Sequence, residues 1–357
     1  MLGKNNFVID QRGHNTWIKG EASTFLEEDD PRLLLETIVS NIEYSDEGVE
    51  VTMEDGSCIS ADYAVCTFSL GVLQHESAVE FDPPLPDWKK TSIDMFNLGT
   101  YTKIFMQFSE RFWPDDTEFF LYVLINSLPV HFPPRIILSY RRSLAPSISL
   151  ILTNHVPTSY ADPTQRGWYP IWQSLDLDEF FPGSHVLFTT VTERESKRVE
   201  RMTNEQTLAE TMDVLHAMFP NITVPQPTAF AYPRWGTIPW AYGSFSCWPA
   251  GTTLEMHENL RANVDRLWFA GEHTSATYFG YMQGAWLEGR DAGTRIAQLI
   301  KGACIGDAPT GGATRGNGDC GERVRYEKLH GTTELEEYNV QNGWDGTSFQ
   351  TNGLDEE

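Results

Sequence analysis

A buried strand, a glycine-containing turn and a long helix follow one another near the C-terminal end of this chain. Arg266-Leu-Trp-Phe-Ala270 is a short apolar run typical of a buried strand, and the residues from about Tyr281 to Ile300 predict a helix. A strand that passes through a glycine turn into a helix N-terminus can receive anionic or oxygen-rich groups of a cofactor. We therefore expect an α/β fold that presents a cofactor-binding edge here.

The charge balance limits the classes of partner. The chain has 357 residues, with 26 Lys and Arg against 50 Asp and Glu, which gives a net charge of −24. This excess of acidic residues argues against nucleic acid or an anionic membrane as a partner. It suits a small cationic ligand, although a solubilising surface is the commoner reason for such a charge. The length predicts about two domains, and 40% hydrophobic residues exclude wholesale disorder.

Cysteine and histidine patterns give no support to a metal site or a disulfide scaffold. The five cysteines are widely spaced without a CxxC pair, and the nine histidines form no HxxxH or HExxH motif. No apolar run is long enough to span a membrane, and no signal peptide is visible at the start. The compartment stays open between cytoplasm and peroxisome, or secretion if the true N-terminus is missing.

Two further regions have clear local patterns. Residues 37–67 predict a β meander, because Val49, Val51 and Met53 alternate with polar residues between turns rich in Asp and Gly. Residues 203–219 predict a helix, in which Thr203 and Gln206 form a capping-box pattern ahead of apolar residues at helical spacing.

Two other regions do not fit a compact domain. Residues 119–161 contain no Asp or Glu and show neither a clear helical nor a clear strand period. We expect an unusual surface insert or translated non-coding sequence there. Residues 302–357 have 11 acidic and 4 basic residues and little apolar surface, which predicts a disordered acidic tail. The glycines of a GxGxxG match, Gly316, Gly318 and Gly321, lie in this tail without a strand or helix beside them, which favours coincidence.

Several motifs in order along the chain carry a resemblance to a known family. The segment Leu267–Trp286, with Gly-Glu, a loop, Gly-Tyr and Gly-Ala, resembles the C-terminal signature of the flavin-containing amine oxidases. The likeness is closest to the plant and fungal polyamine oxidases and extends from about residue 6 to residue 300. The other matching motifs are Ser69-Leu-Gly-Val-Leu73, Thr102-Lys-Ile-Phe105, Pro233-Arg-Trp235 and Gly243-Ser-Phe-Ser-Cys-Trp-Pro-Ala-Gly251.

The resemblance implies a set of residues that bind FAD. Glu272 would accept hydrogen bonds from ribityl or ribose hydroxyls, and Gly280 and Tyr281 would begin a helix that faces the flavin. Trp235 would pack beside the flavin, and the backbone of Val39 would pair with the adenine edge. The plainer alternatives are a surface glutamate, a core tryptophan and an ordinary strand valine.

The resemblance also implies three catalytic residues. Phe245 and Tyr281 would hold the amine between two aromatic faces, and Lys103 would bond to flavin N5 through a water molecule. Burial among apolar neighbours would lower the pKa of Lys103, which suits proton handling. Two core aromatics and a solvent-facing edge lysine are the alternatives. Ser244 stands where monoamine oxidases carry the cysteine that attaches flavin, so we expect non-covalent FAD.

The implied activity is the oxidation of a cationic amine, most simply a polyamine, to an imine and then an aldehyde, with O2 reduced to hydrogen peroxide. Three alternatives stay open. Two are enzymes of the same superfamily, an amino-acid oxidase or a lysine demethylase. The third is a truncated, non-catalytic remnant, because the family's N-terminal dinucleotide-binding unit has no counterpart in this sequence.

The implied fold is α/β with α+β character, in which a partial FAD-binding domain is interleaved with a substrate domain on a mixed β-sheet. We expect the FAD-binding domain at residues 1–88 and 246–301. The substrate-binding domain would take residues 89–245, with the atypical insert at 124–165, and the acidic tail would take residues 302–357.

Overall fold

The computed structural model describes residues 10–115, 117–124, 135–141, 148–150, 168–178, 180–249 and 252–301. These residues form two compact units, one of residues 31–99 and 238–301 and the other of residues 10–30 and 100–237. The sequence predicts domain boundaries after residues 88 and 245. In the structure, the chain passes from the first unit to the second after Gly99 and returns after Thr237. The reason is that strand β6 (Asn97–Gly99) pairs with β14 (Phe245–Cys247), which keeps both strands in the first unit.

The first unit contains three small sheets. A four-stranded sheet has the order β3-β2-β1-β5, in which β1 pairs in parallel with β5 and antiparallel with β2. The antiparallel pair of β14 and β6 forms the second sheet, and the parallel pair of β15 and β4 forms the third. The remaining strands here are β1 (Val39–Tyr44), β2 (Val49–Met53), β3 (Cys58–Ala61), β4 (Ala64–Cys66), β5 (Glu80–Asp82) and β15 (Leu267–Phe269).

Helices cover these sheets and complete the core of the first unit. All three side chains of β15 are fully buried, which confirms the predicted buried strand, and the predicted helix after it begins at Met282. Leu70, Ile93 and Leu260 extend the same core from three different helices. These helices are α2 (Leu70–Leu73), α3 (Asp87–Met95), α6 (Leu254–Arg261) and α7 (Met282–Ile300).

The second unit is built on a seven-stranded sheet with the order β10-β9-β8-β11-β12-β7-β13. Every described pairing in it is antiparallel, so the mixed sheet of this fold is the four-stranded one in the first unit. Hairpin connections suffice for antiparallel neighbours, whereas parallel ones need a crossover. The strands are β7 (Tyr101–Gln107), β8 (Thr117–Leu124), β9 (Arg135–Arg141), β10 (Ile148–Leu150), β11 (Ile171–Ser174), β12 (Val186–Thr192) and β13 (Ala229–Ala231).

The helices of the second unit are α1 (Asn15–Ala22), α4 (Glu193–Glu200) and α5 (Asn204–Met218). The α5 helix confirms the predicted capping box, because the Thr203 hydroxyl accepts from Gln206 N while the Gln206 side chain accepts from Thr203 N. Its apolar face packs on Ile104, Met106 and Leu187 of the sheet. The mixed α/β fold class predicted from sequence is thus confirmed.

The described parts of the acid-free stretch belong to the sheet of the second unit. Strand β9 pairs with β8 and with β10, although the sequence shows no clear strand period between residues 119 and 161. Most of the expected insert at 124–165 lies outside the described residues, as do the tail at 302–357 and its glycine match. Among the described residues, none of the helices combines the length and the apolar run that a bilayer crossing needs.

Buried ion pairs fix α7 against α6 in the first unit. Arg261 on α6 contacts Glu288 at 2.8 Å and Asp291 at 3.1 Å, and Arg295 contacts Asp291 at 2.8 Å. Burial raises the pKa of Glu288 to about 7, an effect that Arg261 opposes and Asp291 reinforces. The folded chain therefore holds a proton on Glu288 at pH values where the unfolded chain has released it.

Replacing Glu288 with glutamine is expected to flatten one part of the pH dependence of stability. The pKa of Glu288 rises from 4.5 in the unfolded chain to about 7 in the folded chain, so its contribution to the free energy of unfolding falls as pH rises from 4.5 to about 7. The variant does not titrate there, so it should gain up to about 3 kcal/mol on the native protein across this window. Urea unfolding of both proteins at several pH values measures the difference, and a difference independent of pH would contradict the assignment.

The variant must be compared with the native protein because two buried histidines change the pH dependence of stability in the opposite direction. Burial lowers the pKa of His257 and of His273 to about 3, so both stay neutral in the folded chain. The unfolded chain takes up these protons below its ordinary value of 6.5, and stability then falls as pH falls. This contribution is common to the native protein and the variant and cancels in their difference.

Candidate functional site

Glu272 lies directly after the buried strand β15, at the start of a single 3-10 turn, Glu272–Thr274. Its Oε1 accepts from Ser246 N at 3.0 Å, and its Oε2 accepts from the Ser246 hydroxyl at 2.6 Å and from Gly280 N. A carboxylate has about four acceptor positions, so three are used and one remains on Oε1. Glu272 thereby joins β14 to the loop that leads into α7.

Phe245 and Tyr281 are the immediate neighbours of the two residues that bond to Glu272. Phe245 on β14 is 36% exposed and Tyr281 is 42% exposed, so neither residue is closed inside the core. Gly280 between them has a φ of +75°, and a Cβ there would lie 3.3 Å from both the Phe245 ring and the Ser246 carbonyl oxygen. Glycine is needed here because its backbone has this conformation and because Phe245 packs directly against it.

Helix α7 begins at Met282, with Tyr281 as its N-cap residue. The first backbone N–H groups of an α-helix have no acceptor inside the helix, and the helix dipole makes this end partly positive. The 19 residues of α7 give the dipole its full strength at this end. The first unit thus brings together a carboxylate, two half-exposed aromatic rings and a helix N-terminus.

Lys103 lies in the second unit, on strand β7. Burial alternates along β7, so that Thr102 and Ile104 point into the core while Lys103 lies on the opposite face. Its Nζ is 5.0 Å from the ring centre of Phe188 and 5.9 Å from that of Tyr101. Partial burial lowers the pKa of Lys103 from its ordinary value, as expected for a lysine among apolar neighbours.

The structure places the other two predicted residues as follows. Trp235 is half-buried in a short 3-10 helix, Trp235–Thr237, of the second unit. Val39 begins β1 and packs at the edge of the core of the first unit, in a different sheet from β15, the strand that precedes Glu272. The structure therefore brings Phe245, Glu272, Gly280 and Tyr281 together in one group of contacts.

Two buried residues next to predicted site residues, one in each unit, are absent from the sequence prediction. Ser246 is buried and donates to Glu272, and Glu200 is buried at the end of α4, where it accepts from Thr102 and from Gly236 N. A signal for Glu200 exists, since it falls at helical spacing with Ser196 on the buried face of α4. Ser246 gives no such signal, because a serine in a short strand has no pattern of its own.

The described residues contain no group of three or more His, Cys, Asp or Glu side chains that could hold a metal ion. The acceptors and aromatic rings around Glu272 suit an organic cofactor with hydroxyl groups and a planar ring.

Comparison with known proteins shows the family to which this chain is related. A model of the family described as flavin containing amine oxidoreductase matches residues 11–297. The chain belongs to this family. It is 39% identical over 293 residues to polyamine oxidase 7 of Oryza sativa subsp. japonica, a match that covers 80% of this chain and 53% of the relative.

Two further relatives show the range of the family. Polyamine oxidase 1 of Zea mays is 38% identical over 295 residues, covering 80% of this chain and 51% of the relative. Histone demethylase-like protein A of Aspergillus fumigatus is 30% identical over 270 residues, covering 74% of this chain and 22% of the relative. This flavin-containing amine oxidoreductase chain thus spans about half the length of the plant polyamine oxidases that it matches.

Proposed function

We propose that this protein oxidises an amine with non-covalently bound FAD, that its substrates are polyamines, and that O2 is the electron acceptor and is released as hydrogen peroxide. The observation that carries the proposal is the grouping of Phe245, Glu272, Gly280 and Tyr281 at the N-terminus of α7, in a member of a flavin-containing family. When bound, FAD accepts a hydride equivalent from the carbon beside the amine nitrogen and passes the electrons to O2.

The residues present fit the flavin and ribityl parts of this cofactor. Glu272 keeps one acceptor position on Oε1, which suits a ribityl hydroxyl, and rotation of the Ser246 hydroxyl would open a second on Oε2. The partly positive N-terminus of α7 favours an electron-rich ring edge. The described residues contain no GxGxxG fingerprint of the kind that receives a pyrophosphate, so FAD loading is part of the test.

The aromatic pair supplies the binding surface for the amine. Phe245 and Tyr281 are both partly exposed, and the face of each ring attracts a cationic or partly charged nitrogen. Closing two rings over the substrate also excludes water from the carbon that is oxidised. The pair therefore orients the amine, while the net charge of −24 favours the approach of polycations.

Lys103 is the proton-handling residue in this proposal. Partial burial lowers its pKa, so the neutral amine is reached at a lower pH than for an exposed lysine. A side chain with this property can hold or release a proton during oxidation without a large energetic cost. Trp235 and Val39 would support the cofactor by packing and by a backbone contact.

Attachment of the cofactor is proposed to be non-covalent. Ser244 stands where the monoamine oxidases carry their attaching cysteine, and a hydroxyl does not form that thioether. Cys247 lies three residues further along, at the end of β14, and is a free thiol in the structure.

The test is peroxide release by the purified chain after reconstitution with FAD. Spermine and spermidine should give amine-dependent peroxide, while benzylamine, an α-amino acid and a peptide containing dimethyl-lysine should give at least about tenfold less at equal concentration, since a pocket selects by differential binding of the transition state. Peroxide from the methylated peptide alone would favour a demethylase instead. A chain that stays colourless after reconstitution would support the non-catalytic alternative.

A further inference from the structure

Glu200 is a buried carboxylate that joins two segments of the second unit. It is the last residue of α4 and is 5% exposed. Its Oε1 accepts from the Thr102 hydroxyl at 2.8 Å, and its Oε2 accepts from Gly236 N at 2.8 Å. Hydrogen bonds to a charged acceptor are stronger than those between neutral groups, so both segments are firmly held.

The two residues that bond to Glu200 are chain neighbours of Lys103 and Trp235. Thr102 precedes Lys103 on β7, and Gly236 follows Trp235 in its 3-10 turn. Each of the two predicted site residues of this unit therefore lies one peptide bond from an atom that Glu200 holds. One carboxylate thus joins the Thr102 side chain on β7, whose backbone is held by β12 and β13, to the backbone of Gly236.

The contacts around Glu200 are tight at both ends. Thr102 is fully buried, and its hydroxyl also lies 2.6 Å from the Ser196 hydroxyl one turn earlier on α4. A Cβ at position 236 would come within 2.7 Å of Glu200 Oε2, so a larger residue there would require the carboxylate or the Trp235 turn to shift.

Lys103 depends on such a fixed backbone because its own side chain has weak contacts. In the described part of the chain it forms no ion pair, and its Nζ contacts only the faces of Tyr101 and Phe188. Cation–π contacts of this kind contribute about 0.5–1 kcal/mol when partly exposed. The position of β7 therefore decides where the Lys103 amine lies.

We propose that Glu200 is a positioning residue for amine oxidation, which fixes Lys103 and Trp235 relative to each other by holding Thr102 and Gly236. It makes no contact with substrate and acts through these neighbours. Its functional consequence rests on the proposed amine oxidase activity, but the arrangement itself can be tested without FAD.

The experiment compares three variants of the full chain. Glu200→Ala removes both acceptors. Glu200→Gln keeps a carbonyl oxygen that accepts from Gly236 N. Its amide NH2 donates to the Thr102 hydroxyl oxygen, and the Thr102 hydroxyl then donates to Ser196 instead. Asp176→Ala is the matched control, because Asp176 is also buried in this unit and accepts from a glycine amide, Gly183 N, at 2.6 Å.

The first readout needs no cofactor. Fluorine NMR of the chain labelled with 5-fluorotryptophan, with the Trp235 resonance identified through Trp235→Phe, should show that resonance shifted or broadened in Glu200→Ala. It should stay in place in Glu200→Gln and in Asp176→Ala. Thr102→Val removes the hydrogen bonds of Thr102 to Glu200 and to Ser196 at nearly constant volume but keeps the bond of Glu200 to Gly236 N. It should give an intermediate shift and serves if Glu200→Ala does not fold.

The second readout is the kinetics of the reconstituted protein. Glu200→Ala should lower kcat about tenfold, because misplacing a catalytic group costs rate, while the KM for the amine changes less than about twofold. Glu200→Gln should restore kcat. An unchanged Trp235 resonance in Glu200→Ala or Thr102→Val, or an equal shift in Asp176→Ala, would overturn the proposal even if the chain oxidises amines.

Discussion

Replacing Lys89 with methionine is expected to destabilise the first unit by about 3 kcal/mol, because three carbonyl oxygens lose the ammonium group that donates to all of them. Lys89 on α3 is completely buried, and its Nζ donates to the carbonyl oxygens of Asn259, Leu260 and Ala262 at 3.2, 2.5 and 2.6 Å. These carbonyls lie at the C-terminal end of α6, where a cation also complements the helix dipole.

Two opposing effects decide the size of this change. Burial lowers the pKa of Lys89, so removing the ammonium recovers some of its desolvation cost. Against this, a methionine removes three hydrogen bonds and the contact of Nζ with the Phe269 ring, 3.7 Å from its centre. Hydrogen bonds from a charged donor contribute about 1.5–3 kcal/mol each, so the loss prevails.

The neighbouring lysine provides the control for Lys89. Lys90 lies on the same helix and is exposed, so Lys90→Met should change the free energy of unfolding by less than about 0.5 kcal/mol. Urea unfolding followed by circular dichroism measures both variants. Equal midpoints for Lys89→Met and the native chain would mean that this lysine does not hold α6.

Replacing Glu272 with alanine is expected to weaken FAD binding about tenfold to a hundredfold, since one hydrogen bond to a charged group contributes about 1.5–3 kcal/mol. The alanine removes the acceptor for a ribityl hydroxyl and also releases Gly280 N and the Ser246 hydroxyl, so the loop before α7 loosens. Quenching of flavin fluorescence on titration with the chain measures the dissociation constant.

Ser246→Ala separates these two effects of Glu272. It removes the 2.6 Å bond that holds the carboxylate but leaves the carboxylate itself, with an additional acceptor position on Oε2. We expect its dissociation constant for FAD to stay within about threefold of the native value. That ratio corresponds to a smaller binding free energy than one hydrogen bond to a charged group contributes. If Glu272→Ala and Ser246→Ala weaken binding equally, the carboxylate acts only by holding the loop.

The parts of the fold that follow from sequence are those with local signals. The capping box at Thr203 fixes the start of α5, and the apolar run Leu267–Phe269 forms the buried strand that leads to Glu272. Gly280 and Tyr281 fall at the start of α7 because the glycine permits the turn there. Such features depend on neighbouring residues, which a sequence displays directly.

Other features depend on partners far away in the chain and could not be predicted. Lys89 bonds to carbonyls about 170 residues further on, so nothing in α3 indicates its complete burial. Thr102 and Glu200 meet across 98 positions. The strands β8 to β10 form by pairing with each other and with β11, although their own residues show no clear alternation.

The central proposal is that this chain, which matches about half the length of its polyamine oxidase relatives, carries out flavin-dependent amine oxidation. Mixing the FAD-reconstituted chain with spermidine without oxygen tests it most directly. We predict that the visible absorbance of the bound oxidised flavin disappears and returns when air is admitted, with peroxide formed. Flavin that binds but keeps its absorbance with spermidine and with spermine would contradict the claim.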